Sequence, residues 1–170
     1  MLDKRFAKYG LSLHPEKTRL IAFGRFAAQQ TGRHGEEKPA TFDFLGFTHI
    51  CARSRRGRFT IQVRTMRKRC QRSLKQVSTW CRSHRHDVVA EQCEVLNSKL
   101  RGHYQYYGRP TNYQSIWKYY RRVRSIWRKW LNRRTRGKTL PWHTYEQLLR
   151  RHPLLRPYIC RPWASEGSRP

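Results

Sequence analysis

"TFDFLGFTHICARSRRGRFTIQVR", residues Thr41–Arg64, is the stretch on which the fold turns. Phe42, Phe44 and Ile50 put β-forming bulk on one side of an extended run, and Phe59, Ile61 and Val63 alternate with polar residues a few positions later. Alternation of period two, broken by a polar cluster containing Gly, predicts a β-hairpin with "SRRG" as its turn. Gly46, inside the first run, suggests a bulge or a place where another backbone comes close. Past Arg64 the apolar spacing changes from two to three or four, so a β-containing piece gives way to a helical one. The predicted fold class is α+β: a short β-hairpin followed by a mainly α-helical bundle of three to four helices.

Upstream, residues 2–10 are compatible with a short helix, "LSLH" and "TRLIAFG" (Thr18–Gly24) have the look of two further strands, and Pro15 opens the turn between them. Arg25–Ala40 carries Gly32, Gly35 and Pro39 with little periodicity, and is expected to be a loop. Downstream, Met66, Cys70, Leu74, Val77 and Cys81 predict a helix over 65–83. Val89, Cys93, Leu96 and Leu100 predict a second over 87–102, with Asp87 as N-cap and Gly102 as its stop. Ile116, Tyr120, Val123, Trp127 and Trp130 share a face of a third over about 113–134, and a shorter fourth covers 142–151. Pro153, Pro157 and Pro162 end regular structure, and residues 161–170 read as a disordered tail.

The chain has 170 residues with 38 Lys and Arg against 10 Asp and Glu, a net charge of +28. That much like charge opposes compaction unless something anionic neutralises it. No Asp or Glu occurs from Val95 to Tyr145, where Lys and Arg are dense and interleaved with Tyr and Trp. A disordered polycation would lack those aromatics. A folded basic surface with nucleic acid as its partner is the expectation, ahead of an anionic membrane.

Five cysteines form no Cys-x-x-Cys pair, and no signal peptide precedes them, which fits a reduced cytoplasm. "CRSHRH" (Cys81–His86) gathers three possible zinc ligands but lacks a second pair at a usual distance, so no metal site is predicted. No apolar run approaches the roughly 18 residues of a membrane span.

"GLSLHPEKTRLIAFGRFA", "FDFLGFTH", a basic helix, "LRGHYQYYG" and "WRKWLNRRT" follow one another here. In that order they resemble bacterial group II intron reverse transcriptases, also called maturases, over about residues 2–160. The resemblance implies that residues 1–63 correspond to the edge of the polymerase palm, with its sixth and seventh blocks. It implies that 64–160 correspond to the helical thumb, or maturase-specific domain, which holds template–primer duplex and binds intron RNA. Polymerase chemistry in that family uses Mg2+ ions held by palm carboxylates. Both the Tyr-Ala-Asp-Asp box and the upstream Asp would precede Met1, so the chain is expected to be a fragment of a longer frame with no cofactor or metal of its own. Nothing after Pro162 resembles the family's endonuclease module.

The resemblance places Phe44, Leu45, Gly46 and Phe47 in the hairpin that grips the primer end; in this chain Phe44 and Phe47 are expected to pack, and Gly46 is left open. Lys17 stands where the family has a lysine near the incoming nucleotide. Without the metal ligands it reads as an exposed turn lysine, so no catalytic residue is predicted. For phosphate contacts the candidates are Lys118, Arg121, Arg122, Arg124, Arg128, Lys129, Arg133, Arg134 and Arg136 on or just after the third helix. That run carries one sign for about three turns with no acidic residue at i+4, and so repels itself. Lys68, Arg69, Arg72 and Lys75 on the first helix and Arg101 on the second are candidates for the other side of the groove. Tyr104 and Tyr107, with Tyr106 between them, either stack on bases or fill the core. Trp117, Trp127 and Trp130 are expected to anchor the core. The predicted partner is group II intron RNA or a template–primer duplex. Two alternatives are a split polymerase completed by separately encoded fingers and palm, and a free-standing basic RNA-binding protein.

Overall fold

A computed structural model describes residues 2–12, 14, 18, 20–27, 39–134 and 139–160. The chain is α+β, with a three-stranded antiparallel sheet preceding a helical region. It divides into two units, Met1–Thr41 with Ile50–Ile61, and Phe42–His49 with Gln62–Pro170.

The first unit contains helix α1 (Leu2–Ala7). Two strands are expected over 11–14 and 18–24; none of the described residues in that stretch is in a strand. Leu11 is exposed and Leu20 is 100% exposed. A strand needs a neighbour to take its backbone N–H and C=O groups, and none of the described strands pairs with this segment. Ile21 to Gly24 are half-buried all the same, and the Gly24 N–H reaches Cys51 Sγ of the second strand at 3.4 Å, a side-chain contact and not a ladder. Lys17 and most of the expected loop lie outside the described residues.

The sheet order is β1 (Phe42–Phe44), β2 (Phe47–Arg53), β3 (Phe59–Thr65). The predicted hairpin is therefore two hairpins. β1 pairs with β2 in the register Phe42↔His49, Asp43↔Thr48 and Phe44↔Phe47, which leaves Leu45 and Gly46 as a two-residue turn. Both have positive φ, +47° and +79°. That is the backbone of the turn whose twist matches the flanking strands. Gly46 is thus a turn residue and not a bulge. Leu45 holds a left-handed conformation that costs a non-glycine residue roughly 1–2 kcal/mol. The "SRRG" turn between β2 and β3 forms as predicted.

The helical region comprises α2 (Arg67–Ser83), α3 (Val89–Tyr107), α4 (Tyr113–Leu131) and α5 (Trp142–Arg151). A short 3-10 turn, Pro110–Asn112, leads into α4. The predicted stripes close one core, with Val77 and Cys81 of α2, Leu96 and Leu100 of α3, and Ile116, Val123 and Trp127 of α4; Tyr104 of α3 and Tyr145 of α5 join it. α2 packs mainly on α4. Gly102 does not stop α3. A mid-helix Gly costs about 1 kcal/mol, and burial of Leu100, His103 and Tyr104 on both sides of it outweighs that. The stop is Gly108, where a Cβ would run into the carbonyl oxygens of Tyr104 and Tyr158. Asp87 does not cap α3 either; Val88 holds the N-cap position without a side-chain bond. Asp87 instead offers its carbonyl to Gln92 Nε2 at 2.9 Å.

Residues 153–160 form an ordered strap along α3. Asn97 donates through Nδ2 to Pro153 O (3.0 Å) and accepts through Oδ1 from Leu155 N–H (2.7 Å). Tyr104 Oη donates to Leu155 O at 3.1 Å, and the Cys160 N–H donates to Gly108 O at 3.0 Å. Residues 161–170, the expected tail, lie outside the described residues.

Candidate nucleic-acid interface

The tip of the β1–β2 hairpin is seated on the aromatic end of α3. Leu45 O accepts from Tyr106 Oη at 2.7 Å, and Gly46 O accepts from Met66 N–H at 2.9 Å. A Cβ on Gly46 would lie 3.0 Å from Tyr107 Oη, so glycine gives the tyrosines their close approach. Phe47 stacks on Tyr106 (ring centroids 5.7 Å apart) and meets Tyr107 edge-on (5.2 Å). Here two segments about 60 positions apart, "FLGF" and "YQYY", form one cluster. An open pocket of about 630 Å³ lies at this cluster, with Asp43, Met66 and Arg69 on its walls.

Asn112 fixes the base of this arrangement. It is fully buried, accepts from Thr65 N–H at 2.8 Å, and donates to Thr65 Oγ1 and to Tyr107 O, each at 2.8 Å. Thr111 Oγ1 adds a bond from Val63 N–H at 3.1 Å. The end of β3 is thereby tied to the α3–α4 turn. Sequence reading missed Asn112, because an Asn after Pro-Thr looks like any turn residue.

The aromatic candidates separate by burial. Tyr104 is fully buried with its hydroxyl on Leu155 O, so it is a core residue and cannot stack on a base. Tyr107 is half-buried; burial raises its hydroxyl pKa, and Arg69 partly offsets this. Phe47 packs as expected, but Phe44 is 58% exposed at the pocket rim. Trp127 is buried, with Nε1 donating to Gln92 Oε1 at 2.9 Å, and Trp130 is partly buried. Trp117 is no core anchor: it is 39% exposed and forms a row with Tyr113 and Tyr120, at centroid distances of 6.5 and 5.4 Å. Spacing of i, i+4, i+7 along one edge of α4 was the signal for that row.

The basic candidates also separate. Lys118, Arg121, Arg122 and Lys129 lie exposed on the side of α4 away from the core. Lys68, Arg69, Arg72 and Lys75 are exposed on α2, and Arg101 on α3. Arg122 is close enough to α2 to act on Cys70, whose thiol burial pushes up and the guanidinium pulls back. Arg128, by contrast, is a staple: it donates twice to Leu140 O (3.1 and 2.8 Å) and lies 4.1 Å over the Trp142 ring. Arg134 donates to the carbonyls of His86 (2.9 Å) and Asp87 (2.6 Å). Arg124 is half-buried beside Tyr120, and its Nε has no partner among the described residues. Arg128 and Arg134 are thus engaged in the fold through carbonyls of other segments, and Arg124 is withdrawn against Tyr120 of its own helix. Arg133 lies over Trp130 at 5.0 Å, and Arg136 is outside the described residues.

Cys81 and His84 do not converge. The Cys81 thiol is buried in the core, its pKa pushed up to about 12, whereas His84 stacks on Trp80. Among the described residues no helix is long and apolar enough to cross a membrane. No family model, no curated protein and no solved structure matches the chain.

Proposed function

We propose that this chain is an RNA-binding fragment of a group II intron reverse transcriptase/maturase, in which α2 and α4 lie against the phosphates of duplex RNA and the Leu45–Gly46 turn meets a strand end. The observation that carries the reading is the single-sign exposed face of α4, Lys118, Arg121, Arg122 and Lys129, with no carboxylate in sequence from Val95 to Tyr145. Such a face repels itself when alone and is relieved by an anion of matching length. A-form duplex is recognised through backbone and 2′-hydroxyls, which suits a helix that offers cations but few base-reading groups. The joining of "FLGF" to "YQYY" gives further support, since these are the motifs on which the family resemblance rests.

The test is competition between a folded group II intron RNA and an unstructured RNA of equal length at physiological salt. Preference for the folded RNA is expected. Equal binding that collapses as salt rises would overturn the maturase reading and leave a free-standing polycation. Restoration of polymerase activity by a separately supplied fingers and palm would favour the split enzyme.

A further inference from the structure

The first unit carries a second basic concavity that the helical face does not account for. A pocket of about 790 Å³ is lined by Arg25, Arg53, Arg56 and Arg58 together with Phe26 and Phe59. The β2–β3 turn sets its wall. Ser54 N–H donates to Arg58 O (2.8 Å), Gly57 N–H donates to Ser54 O (2.9 Å), and Ser54 Oγ accepts from Arg58 N–H (3.2 Å). Gly57 takes φ +74°, which closes the turn without a Cβ penalty. These bonds shape the turn that presents Arg56 and Arg58 to the pocket.

None of the described residues lining this pocket is acidic. Four guanidinium groups around one concavity repel one another, and a bound phosphate would relieve that with charge-assisted, bidentate hydrogen bonds. Solvated turn arginines are common, so charge alone would not identify a ligand. The aromatics make the difference: Phe26 is 61% exposed and Phe59 37%, both on the same pocket, and the Arg25 guanidinium lies 5.9 Å from the Phe26 ring centroid. Cations that track a backbone beside exposed rings that accept a base are the two elements of a single-strand site. Duplex would satisfy the cations but leave the rings unused, because its bases are stacked inside.

We infer that this pocket binds a single-stranded RNA segment, with the arginines on its phosphates and Phe26 or Phe59 stacked on an unpaired base. The inference rests on the RNA-binding reading above and adds a second site of different specificity.

Fluorescence anisotropy on the full chain tests it, using an unstructured RNA of roughly 12 nucleotides and a blunt RNA duplex of the same length. The R56Q/R58Q pair is expected to weaken single-strand binding and to lower its log–log salt slope by about 0.7 for each phosphate that is no longer neutralised. Phe59→Ala is expected to lower single-strand affinity by about ten-fold with the slope unchanged, and Phe59→Trp to retain it. Phe26→Ala, in an exposed position, repeats the ring test without touching a strand. Duplex affinity should stay at the wild-type value in every variant. If wild type binds both RNAs and the four variants bind the single strand as it does, the pocket assignment is overturned and the helical face stands. If wild type binds neither RNA, both readings fall. If vesicles containing anionic phospholipid displace single strand from wild type and bind R56Q/R58Q more weakly, the pocket belongs to lipid phosphates and the inference is overturned.

Discussion

Acidification should loosen the helical core through one residue, His103. Its ring is buried, lies 3.6 Å from that of Tyr119 in a parallel stack, and touches Tyr107 at 4.6 Å. Nε2 is buried with no hydrogen-bond partner among the described residues. Burial disfavours the imidazolium and pushes the pKa from 6.5 down to about 4. At 1.36 kcal/mol per unit, that difference amounts to roughly 3 kcal/mol as an upper limit. The folded-state pKa is depressed, so this stability is fully present above pH 6.5, where both states are neutral. It is lost as pH falls from 6.5 toward about 4, where the unfolded chain binds a proton that the folded one refuses. Urea unfolding followed by tryptophan fluorescence between pH 8 and about 4.5 gives the profile, since Trp127 is buried in the same core. His103→Phe keeps a ring on Tyr119 and removes the titration, so its stability should vary less with pH by most of that amount. An identical pH profile for wild type and His103→Phe would refute the reasoning. Because Tyr107 supports the hairpin turn, loss of this stack should also loosen the seat of Gly46.

Gly108→Ala should destabilise the fold by about 2–3 kcal/mol in thermal or urea melts, because the new Cβ meets backbone oxygens of Tyr104 and Tyr158 that cannot move independently. Gln92→Leu should cost about 1–3 kcal/mol in the same melts, as it leaves the buried Trp127 Nε1–H without its acceptor. Arg121→Gln and Arg128→Gln should part company. The first should weaken duplex RNA binding and leave the melting temperature in place. The second should lower the melting temperature, because Arg128 ties α4 to Leu140 and Trp142.

The helical part was legible because its apolar residues recur at steps of three and four over long runs, and the stripes through Val77, Leu96 and Val123 do close the core. The α+β class followed from the change of period near Arg64. Less was legible where a local signal depended on distant partners. The period-two runs before Gly24 resemble strands, yet a strand exists only with a neighbour to pair with. Leu45–Gly46 escaped notice as a turn because Leu is a poor left-handed residue; the conformation is held by Tyr106 and Met66, far along the chain. Gly102 and Gly108 look equally able to stop a helix; what distinguishes them is the space around each, open at Gly102 and closed at Gly108 by the Tyr104 carbonyl and the backbone of the 153–160 strap. Within the candidate interface, composition marked α4 and the residues just after it as basic but could not separate Arg121, which faces solvent, from Arg128 and Arg134, whose guanidinium groups are held by carbonyls. Asn112, Gln92 and the row Tyr113–Trp117–Tyr120 acquire their roles only from three-dimensional neighbours.

The most direct test of the central claim is the salt dependence of duplex RNA binding by wild type and by a variant with Lys118, Arg121, Arg122 and Lys129 all replaced by Gln. These four exposed side chains make up the face proposed to meet phosphates. At about 0.9 per duplex phosphate neutralised, the log–log slope should fall by about 3 to 4 units, with circular dichroism and melting temperature unchanged. An unaltered slope in a folded variant would show that the α4 face does not hold RNA, and would contradict the account.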